Sequence, residues 1–338
     1  MIKKLIWLLI AVLLLSSCSD PKQELHKYSY FAFGTIIKLT IAGVDKSTAD
    51  QAANDLEVKF NQWHADWHAW QPGMLVAINQ QLADGKTVKL DQKILPLLQR
   101  AKELAAMSSD TFNPAMGNLL ALWGYQGSDE PEKPPEKAVI DEYLQTASDL
   151  SALEIKQDLI RSDSPNIQFD LGGFAKGYGV DLALNYLQSM GIKNALLDAG
   201  GDLKVIGQRV DRPWRIGIRH PRKVGVLASL DVNDGESVFT SGDYERYFMH
   251  EGQRYHHILD PRTGYPASDF ISVTIVTEDA SLADAAATAL FVAGLKDWQK
   301  VAVQMGVDKV MLIDNQGKIH MTPELKPRMK LTVDHLEL

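Results

Sequence analysis

Three short stretches of this 338-residue chain gather side chains able to do chemistry. The densest is residues 239–264. Thr240, Ser241, Asp243 and Asp260 offer oxygens, and Arg246, Arg254 and Arg262 offer fixed positive charge. His256 and His257 offer imidazoles that move protons near neutral pH. The same stretch reads as a hairpin: strand 236–240, a Ser-Gly-Asp turn, strand 244–249, a Glu-Gly turn and strand 253–258. Phe239, Tyr244, Tyr247 and Phe248 suit strands. The two readings combine, because catalytic groups favour loops held by rigid strands. Adjacent residues on a strand point to opposite faces, so only one of the two histidines faces a ligand.

The second stretch, Asp170 to Gly177, reads as a strand, a Gly172-Gly173 turn and a helix start. Backbone N–H groups there favour an anion, and Lys176 has the reach to touch a phosphate. The spacing fits neither dinucleotide-binding nor Walker glycine patterns. A tight strand–helix connection with an exposed lysine explains it equally well. The third stretch, Ala283 to Thr288, puts Asp284 and Thr288 four apart on one helix face. A carboxylate and a hydroxyl suit magnesium, a hard cation that keeps several waters. Against that, Ser281 with Asp284 resembles a capping box. His64 and His68 are also four apart, but without a glutamate in the HExxH manner they read as partly exposed structural histidines.

The elements that position these groups follow from periodicity. Residues 28–42 alternate as a strand interrupted at Phe33-Gly34-Thr35, which predicts a bulge or a close backbone approach. Helices are expected over 47–67, capped by Ser47, and from Asp91 to Met107 with Pro96 in the first turn. Thr111–Pro114 turns into a short helix ending at Trp123-Gly124. Residues 126–138 form a solvated loop. Strand 167–171 precedes a helix over 174–190 that Gly191 stops. Strands 195–198, 203–206 and 214–219 follow. After the hairpin come strand 271–277, helices 281–293 and 295–305, strand 308–313 and a last hairpin. Antiparallel strands mixed with helices predict α+β.

Net charge is −8, which argues against a nucleic-acid surface. Lys3-Lys4, an apolar run from Leu5 to Leu15 and small Ser16-Ser17 read as a secretory signal, too short for a comfortable transmembrane helix. Leu15-Ser16-Ser17-Cys18 resembles a bacterial lipobox, so residues 1–17 are a signal peptide and 18–27 a lipidated tether. Removing residues 1–17 takes the charge from −8 to −10. Cys18 is the only cysteine, so no intramolecular disulfide forms. The acyl chains place the domain at the cell envelope, facing the periplasm. Ser19, not Asp, after the cysteine favours an outer membrane.

Residues 28–338 resemble the ApbE family of FAD:protein FMN transferases. The resemblance rests on Phe33-Gly34-Thr35, Phe112-Asn113-Pro114, Leu122-Trp123-Gly124, Asp170–Asp181, Gly200-Gly201-Asp202, Thr240–Arg246, His257–Pro266 and Ala283–Gly294, in family order. It implies a T-fold-like, mainly antiparallel α+β unit with two lobes around an FAD cleft. It implies magnesium ligands at the Gly173 and Ala287 backbone oxygens, the Asp284 carboxylate and the Thr288 hydroxyl. Flavin contacts fall at Phe33, Trp70, Thr111, Phe112, Asn113, Asp170, Lys176 and Ile258. Phe33 stands where the family more often has Met, and Asn113 where Asp is usual. The stretch Gln71–Met74 lacks the serine usual before Asn79.

The implied reaction is Mg²⁺-dependent transfer of FMN from FAD to a Thr or Ser hydroxyl of an exported or membrane flavoprotein, releasing AMP. His257, or a carboxylate such as Asp243 or Asp260, accepts the hydroxyl proton; alternatively the two carboxylates orient Arg246, Arg262 or the histidine. Membrane electron-transport complexes are the family's usual acceptors. A metal-dependent FAD pyrophosphatase and a non-catalytic periplasmic flavin carrier are the alternatives.

Overall fold

Along Thr35–Ala42 apolar and polar residues alternate, burying Ile37, Leu39 and Ile41 and leaving Ile36 and Lys38 to solvent. That half-buried pattern starts the main sheet. The structure, a computed structural model, describes residues 24–127, 131–146, 150–164, 166–333 and 336. The signal sequence, Cys18 and the tether up to Lys22 and Gln23 lie outside the described residues.

In chain order the elements begin with β1 (Leu25–Ala32), β2 (Thr35–Ala42), α1 (Lys46–Trp67), α2 (Met74–Ala83), β3 (Val88–Lys89) and α3 (Leu95–Met107). Next come α4 (Gly117–Leu122), α5 (Lys137–Thr146), β4 (Leu153–Lys156), β5 (Leu159–Ser162) and α6 (Ala175–Ser189). Then follow β6 (Asn194–Ala199), β7 (Asp202–Ile206), β8 (Trp214–Arg219), β9 (Val226–Val232) and β10 (Ser237–Gly242). The chain closes with β11 (Tyr247–His250), β12 (Gln253–His256), β13 (Phe270–Thr277), α7 (Ala280–Met305), β14 (Lys309–Asp314), β15 (Ile319–Met321) and β16 (Lys330–Leu331).

The main sheet has the order β1-β2-β6-β7-β10-β13-β14-β15, and every neighbouring pair is antiparallel. This is the expected α+β class. One face carries the large core, where α1, α3, α6 and α7 pack. The other face meets the small sheet β16-β9-β8 through Leu203, Val205, Val238, Val276 and Met311. Central β13, with both faces covered, is buried at all positions but the last. A third cluster joins the β11–β12 hairpin to α4 and α5 around Trp123, Ile140 and Phe248. Among the described residues no helix is long and apolar enough to cross a membrane.

Several expectations change. The first strand begins at Leu25, inside the expected tether, and Phe33-Gly34 is a tight hairpin turn between β1 and β2, not a bulge. Both turn residues have positive φ, 53° and 72°, as a two-residue turn between twisted strands requires. Asp45, not Ser47, caps α1 by accepting from Thr48 N at 2.9 Å. The central stretch is not one three-stranded hairpin. β10 lies between β7 and β13 in the main sheet, whereas among the described residues β11 and β12 pair only with each other. Residues 167–171 are not a strand. The Asn79 side chain bonds both the N–H and the C=O of Phe169, at 2.8 and 2.9 Å, doing what a neighbouring strand would do. Asn79 sits on α2, which the sequence reading did not foresee. The long α7 keeps the expected break at Gly294, whose φ of 73° and ψ of 179° are non-helical.

Candidate functional site

A cleft of about 1100 Å³ opens over the ends of the main-sheet strands. Its wall comes from the β1–β2 turn, the C-terminal end of α1, the turns at 111–113 and 170–176, strands β8 and β10, residues 257–259 and the first turns of α7. The two ends of the cleft differ in chemistry.

One end is polar and is built where α6 and α7 cross. Asp279 caps α7, accepting from Leu282 N at 2.8 Å, which leaves Asp284 free of the capping role. Asp284, 4 % exposed, instead accepts from Gly177 N at 2.9 Å, across to α6. The helices come this close because residue 177 is glycine. A Cβ there would overlap the Ala280 carbonyl oxygen and sit 2.9 Å from Asp284 Cβ. The Lys176 ammonium then lies between two carboxylates, 3.1 Å from Asp284 Oδ1 and 3.2 Å from Asp202 Oδ2. Burial acts to lower the Lys176 pKa, but Asp284 and Asp202 outweigh it and raise it. Burial pushes the Asp202 carboxyl up and Asp284 adds to this, while Lys176 opposes both. In the sequence Asp202 stands out only as the end of a Gly-Gly-Asp run. Its signal is an acidic residue opening a strand directly after two glycines with positive φ, Gly200 and Gly201.

Thr288 stands one turn beyond Asp284, its Oγ1 3.2 Å from Ser241 Oγ on β10. Gly173 faces it, since a Cβ on Gly173 would lie 3.6 Å from the same Oγ1. Ala287 is buried in α7 and offers only its backbone oxygen. Among the described residues no three His, Cys, Asp or Glu side chains cluster as a self-sufficient metal site. The donors here are all oxygens with one carboxylate of the set, Asp284. That suits a magnesium ion whose remaining ligands are waters and a substrate's phosphates.

The other end is aromatic. Phe33 stacks on Trp67 with centroids 5.6 Å apart and planes 3° from parallel, and Trp67 stacks on Trp63 in turn. Trp70 lies alongside, its indole N–H donating to Asp170 Oδ2 at 2.8 Å. Asp170 also accepts from Gly172 N, so that N–H is not left for an anion. Thr111, Phe112, Asn113, Lys176 and Ile258 line the same cleft. The structure thus gathers all eight expected ring and phosphate contacts around one space.

The hairpin region contributes His257. A carbonyl oxygen only accepts, so His257 Nδ1–H donates to Arg246 O at 3.1 Å and the neutral ring keeps its lone pair on Nε2. Burial, then His256, Arg246 and Lys176, hold its pKa far below the ordinary 6.5, at about 3. His256 faces the other way. Its Nε2–H donates to Ala267 O at 2.8 Å, its Nδ1 accepts from Ile258 N, and its ring meets Phe291 edge-on.

Asp243 and Asp260, the expected alternative bases, do not line the cleft. Arg222 grips Asp243 through two bonds of 2.7 and 2.6 Å, and Arg254 adds a contact at 3.4 Å. Arg262 grips Asp260 through two bonds of 2.8 Å. Such forked pairs occupy the carboxylate lone pairs. The two acids hold arginines in place, which favours the orienting alternative over the proton-transfer role.

An antiparallel α+β body with a long cleft, flat-walled at one end and cationic and oxygen-rich at the other, has the shape and chemistry to suit a ligand carrying a planar ring and phosphates. The chain belongs to the ApbE family, whose sequence profile matches residues 33–311. A relative from Rhodobacter capsulatus named FAD:protein FMN transferase is 40% identical over 302 residues, covering 89% of this chain and 58% of that protein. The chain therefore spans little more than half of that relative. A Vibrio cholerae protein of the same name is 29% identical over 335 residues, covering 95% of this chain and 98% of its own length. The crystal structure of the ApbE protein of Thermotoga maritima superposes with a TM-score of 0.83 at 32% identity, covering 90% of this chain and 99% of that one.

Proposed function

We propose that this chain is an FAD:protein FMN transferase that moves FMN from FAD onto a Thr or Ser hydroxyl of an acceptor protein and releases AMP. The observation that carries the reading is the cleft itself. Lys176, Asp202, Asp284 and Thr288 meet at one end, Phe33, Trp67 and Trp70 at the other, and His257 stands on the wall between strands and loops. The family name of its relatives agrees with this geometry.

The acceptor oxygen attacks the FMN phosphorus, the P–O bond to AMP breaks, and AMP leaves with the bonding pair. Asp284, Thr288 and the Gly173 and Ala287 carbonyls would hold a magnesium ion, which supplies charge neutralisation at the pyrophosphate. Lys176 exchanges part of its bonding to Asp202 and Asp284 for a phosphate oxygen and keeps the dinucleotide in line. His257 Nε2 takes the hydroxyl proton. Its basicity is lowered first by burial of the ring and then by His256, Arg246 and Lys176, and it rises when an anionic pyrophosphate matches the nearby positive charges. Asp170 and Trp70 fix each other and shape the ring's slot.

The N-terminal lipobox motivates export and anchoring at Cys18, with acceptors in membrane electron-transport complexes. Release of Cys18→Ala protein from membranes supports the anchor, and unchanged partition rejects it. Incubation with FAD and Mg²⁺, with and without an acceptor, tests the reaction. FMN mass on the acceptor with AMP released is expected. AMP with free FMN regardless of acceptor makes the chain a pyrophosphatase, and unchanged FAD makes it a carrier.

A further inference from the structure

His64 and His68 sit four apart at the C-terminal end of α1 and both line the aromatic end of the cleft. Their rings meet edge to face with centroids 5.4 Å apart. Each uses Nδ1 as an acceptor for backbone. His64 Nδ1 takes the N–H of Phe33 at 3.1 Å, in the β1–β2 turn. His68 Nδ1 takes the N–H groups of Trp70 and Gln71 at 3.0 and 3.1 Å. A neutral imidazole with a lone pair on Nδ1 carries its proton on Nε2. Two consequences follow. Metal binding at either Nε2 would move that proton to Nδ1 and break the bonds to backbone, so the pair as built does not serve a metal ion. And each ring is left with one Nε2–H donor, for which the described residues supply no partner. Half-exposed donors of this kind, beside stacked Phe33 and Trp67 and next to Trp70, call for an acceptor on whatever flat group enters there.

We infer that His64 and His68 form a donor pair that recognises the carbonyl edge of the isoalloxazine ring of the bound flavin. The inference rests on the proposal that FAD fills the cleft and deepens it. The isoalloxazine ring is planar and apolar over most of its area and carries two carbonyl oxygens on its pyrimidine edge. Those oxygens match two N–H donors beside an aromatic wall. Adenine offers ring nitrogens and an amino group that is itself a donor, and fits the pair less well. The pair therefore sets which end of the dinucleotide lies at the aromatic wall and which lies beyond the pyrophosphate at Lys176. That choice decides that FMN, and not AMP, is the half presented for transfer. His64 and His68 are positioning residues, since they act through the orientation of the ring.

The test uses Asn substitutions, because Asn Oδ1 stands near the place of Nδ1 and keeps the backbone cap while the Nε2–H is lost. Affinities of wild type, His64→Asn, His68→Asn and the double variant are measured for riboflavin, FMN, AMP and FAD, with thermal midpoints as the control for folding. Each single variant is expected to weaken riboflavin and FMN about 3- to 10-fold, the worth of one net hydrogen bond, and to leave AMP within two-fold. A riboflavin analogue with sulfur in place of the pyrimidine-edge oxygens should bind wild type worse than riboflavin, and the double variant should not tell them apart. The near-ultraviolet band of bound flavin should shift between wild type and the double variant. Equal flavin affinity in all four proteins overturns the inference, as does a loss that falls on AMP instead. Wild type that binds AMP but no flavin overturns the assignment of FAD to the cleft as well, which separates that failure from this one.

Discussion

The polar end of the cleft and the hairpin stretch 243–262 have similar stocks of charge and use them in opposite ways. At the polar end, two helices cross at Gly177 and bring one lysine between two buried carboxylates. The charges are held together but offer spare bonding capacity: a single ammonium shared by two acids readily trades a contact for a phosphate. In the hairpin stretch Asp243 and Asp260 are each closed by forked arginine bonds. Those pairs have nothing left to give, and His257, with its free Nε2, faces the cleft beside Glu245 and Arg246. A dense run of reactive residue types is thus mostly scaffold, while a sparse Asp-x-x-x-Thr on an alanine-rich helix carries the groups with chemistry to spare.

Breaking the polar end should have the largest effect. Asp284→Asn keeps volume but loses the charge that meets Lys176, and transfer should fall by about 10³-fold or more. The thermal transition should remain cooperative, with AMP release read by chromatography. Loss of the transition in the variant would mean that Asp284 is needed for folding first. His257→Asn keeps a donor for Arg246 O and removes the base. Transfer should drop by about 10²–10⁴-fold while FAD affinity, read by fluorescence, changes little. His256→Asn should stay within several-fold, because that ring is turned away from the cleft.

Gly177→Ala sharpens the comparison from the side of the scaffold. The added methyl meets the Ala280 carbonyl, so the helices must part. Stability should fall by about 1–3 kcal/mol, seen as a lower thermal midpoint. The FAD affinity should fall with it, because Lys176 and Asp284 separate. A normal midpoint would show that the crossing is looser than the geometry implies.

The smallest effect is the pH dependence. The folded-state pKa of His257 lies below its unfolded value, so its contribution to stability is fully present above about 6.5 and is lost as pH falls toward about 3. Wild type should therefore lose more thermal stability between pH 7 and pH 4.5 than His257→Asn does. Parallel curves would mean that the ring charges in the folded state as easily as in the unfolded chain.

What the sequence disclosed and withheld follows from how local each cause is. The α7 break at Gly294, the helix after Gly172-Gly173 and the strand pattern of 271–277 depend on neighbours in the chain and are therefore legible from it. The partner of β10 was not legible. Nothing near Ser237–Gly242 records that β7 and β13 flank it, and the adjacent β11 is the nearer partner in sequence. Helix α2 was missed because it starts after Pro-Gly with no side-chain cap. The false strand at 167–171 has an apolar strand composition, but its partner is one side chain, Asn79, from ninety residues upstream. The contacts quoted from the family resemblance do line one cleft, whereas the roles of Asp202, His64 and His68 depend on which atoms their neighbours occupy, and composition does not carry that.

The most direct test compares the two regions in one assay. The single-turnover rate of covalent FMN appearing on an acceptor hydroxyl is measured for Asp284→Asn and Asp243→Asn, each with FAD at saturating occupancy and Mg²⁺ present. Asp243→Asn should transfer at least about 10²-fold faster than Asp284→Asn, since only the latter touches the phosphate end. Equal rates, or a slower Asp243→Asn with normal FAD occupancy and an unchanged thermal midpoint, would contradict it and return the chemistry to the hairpin.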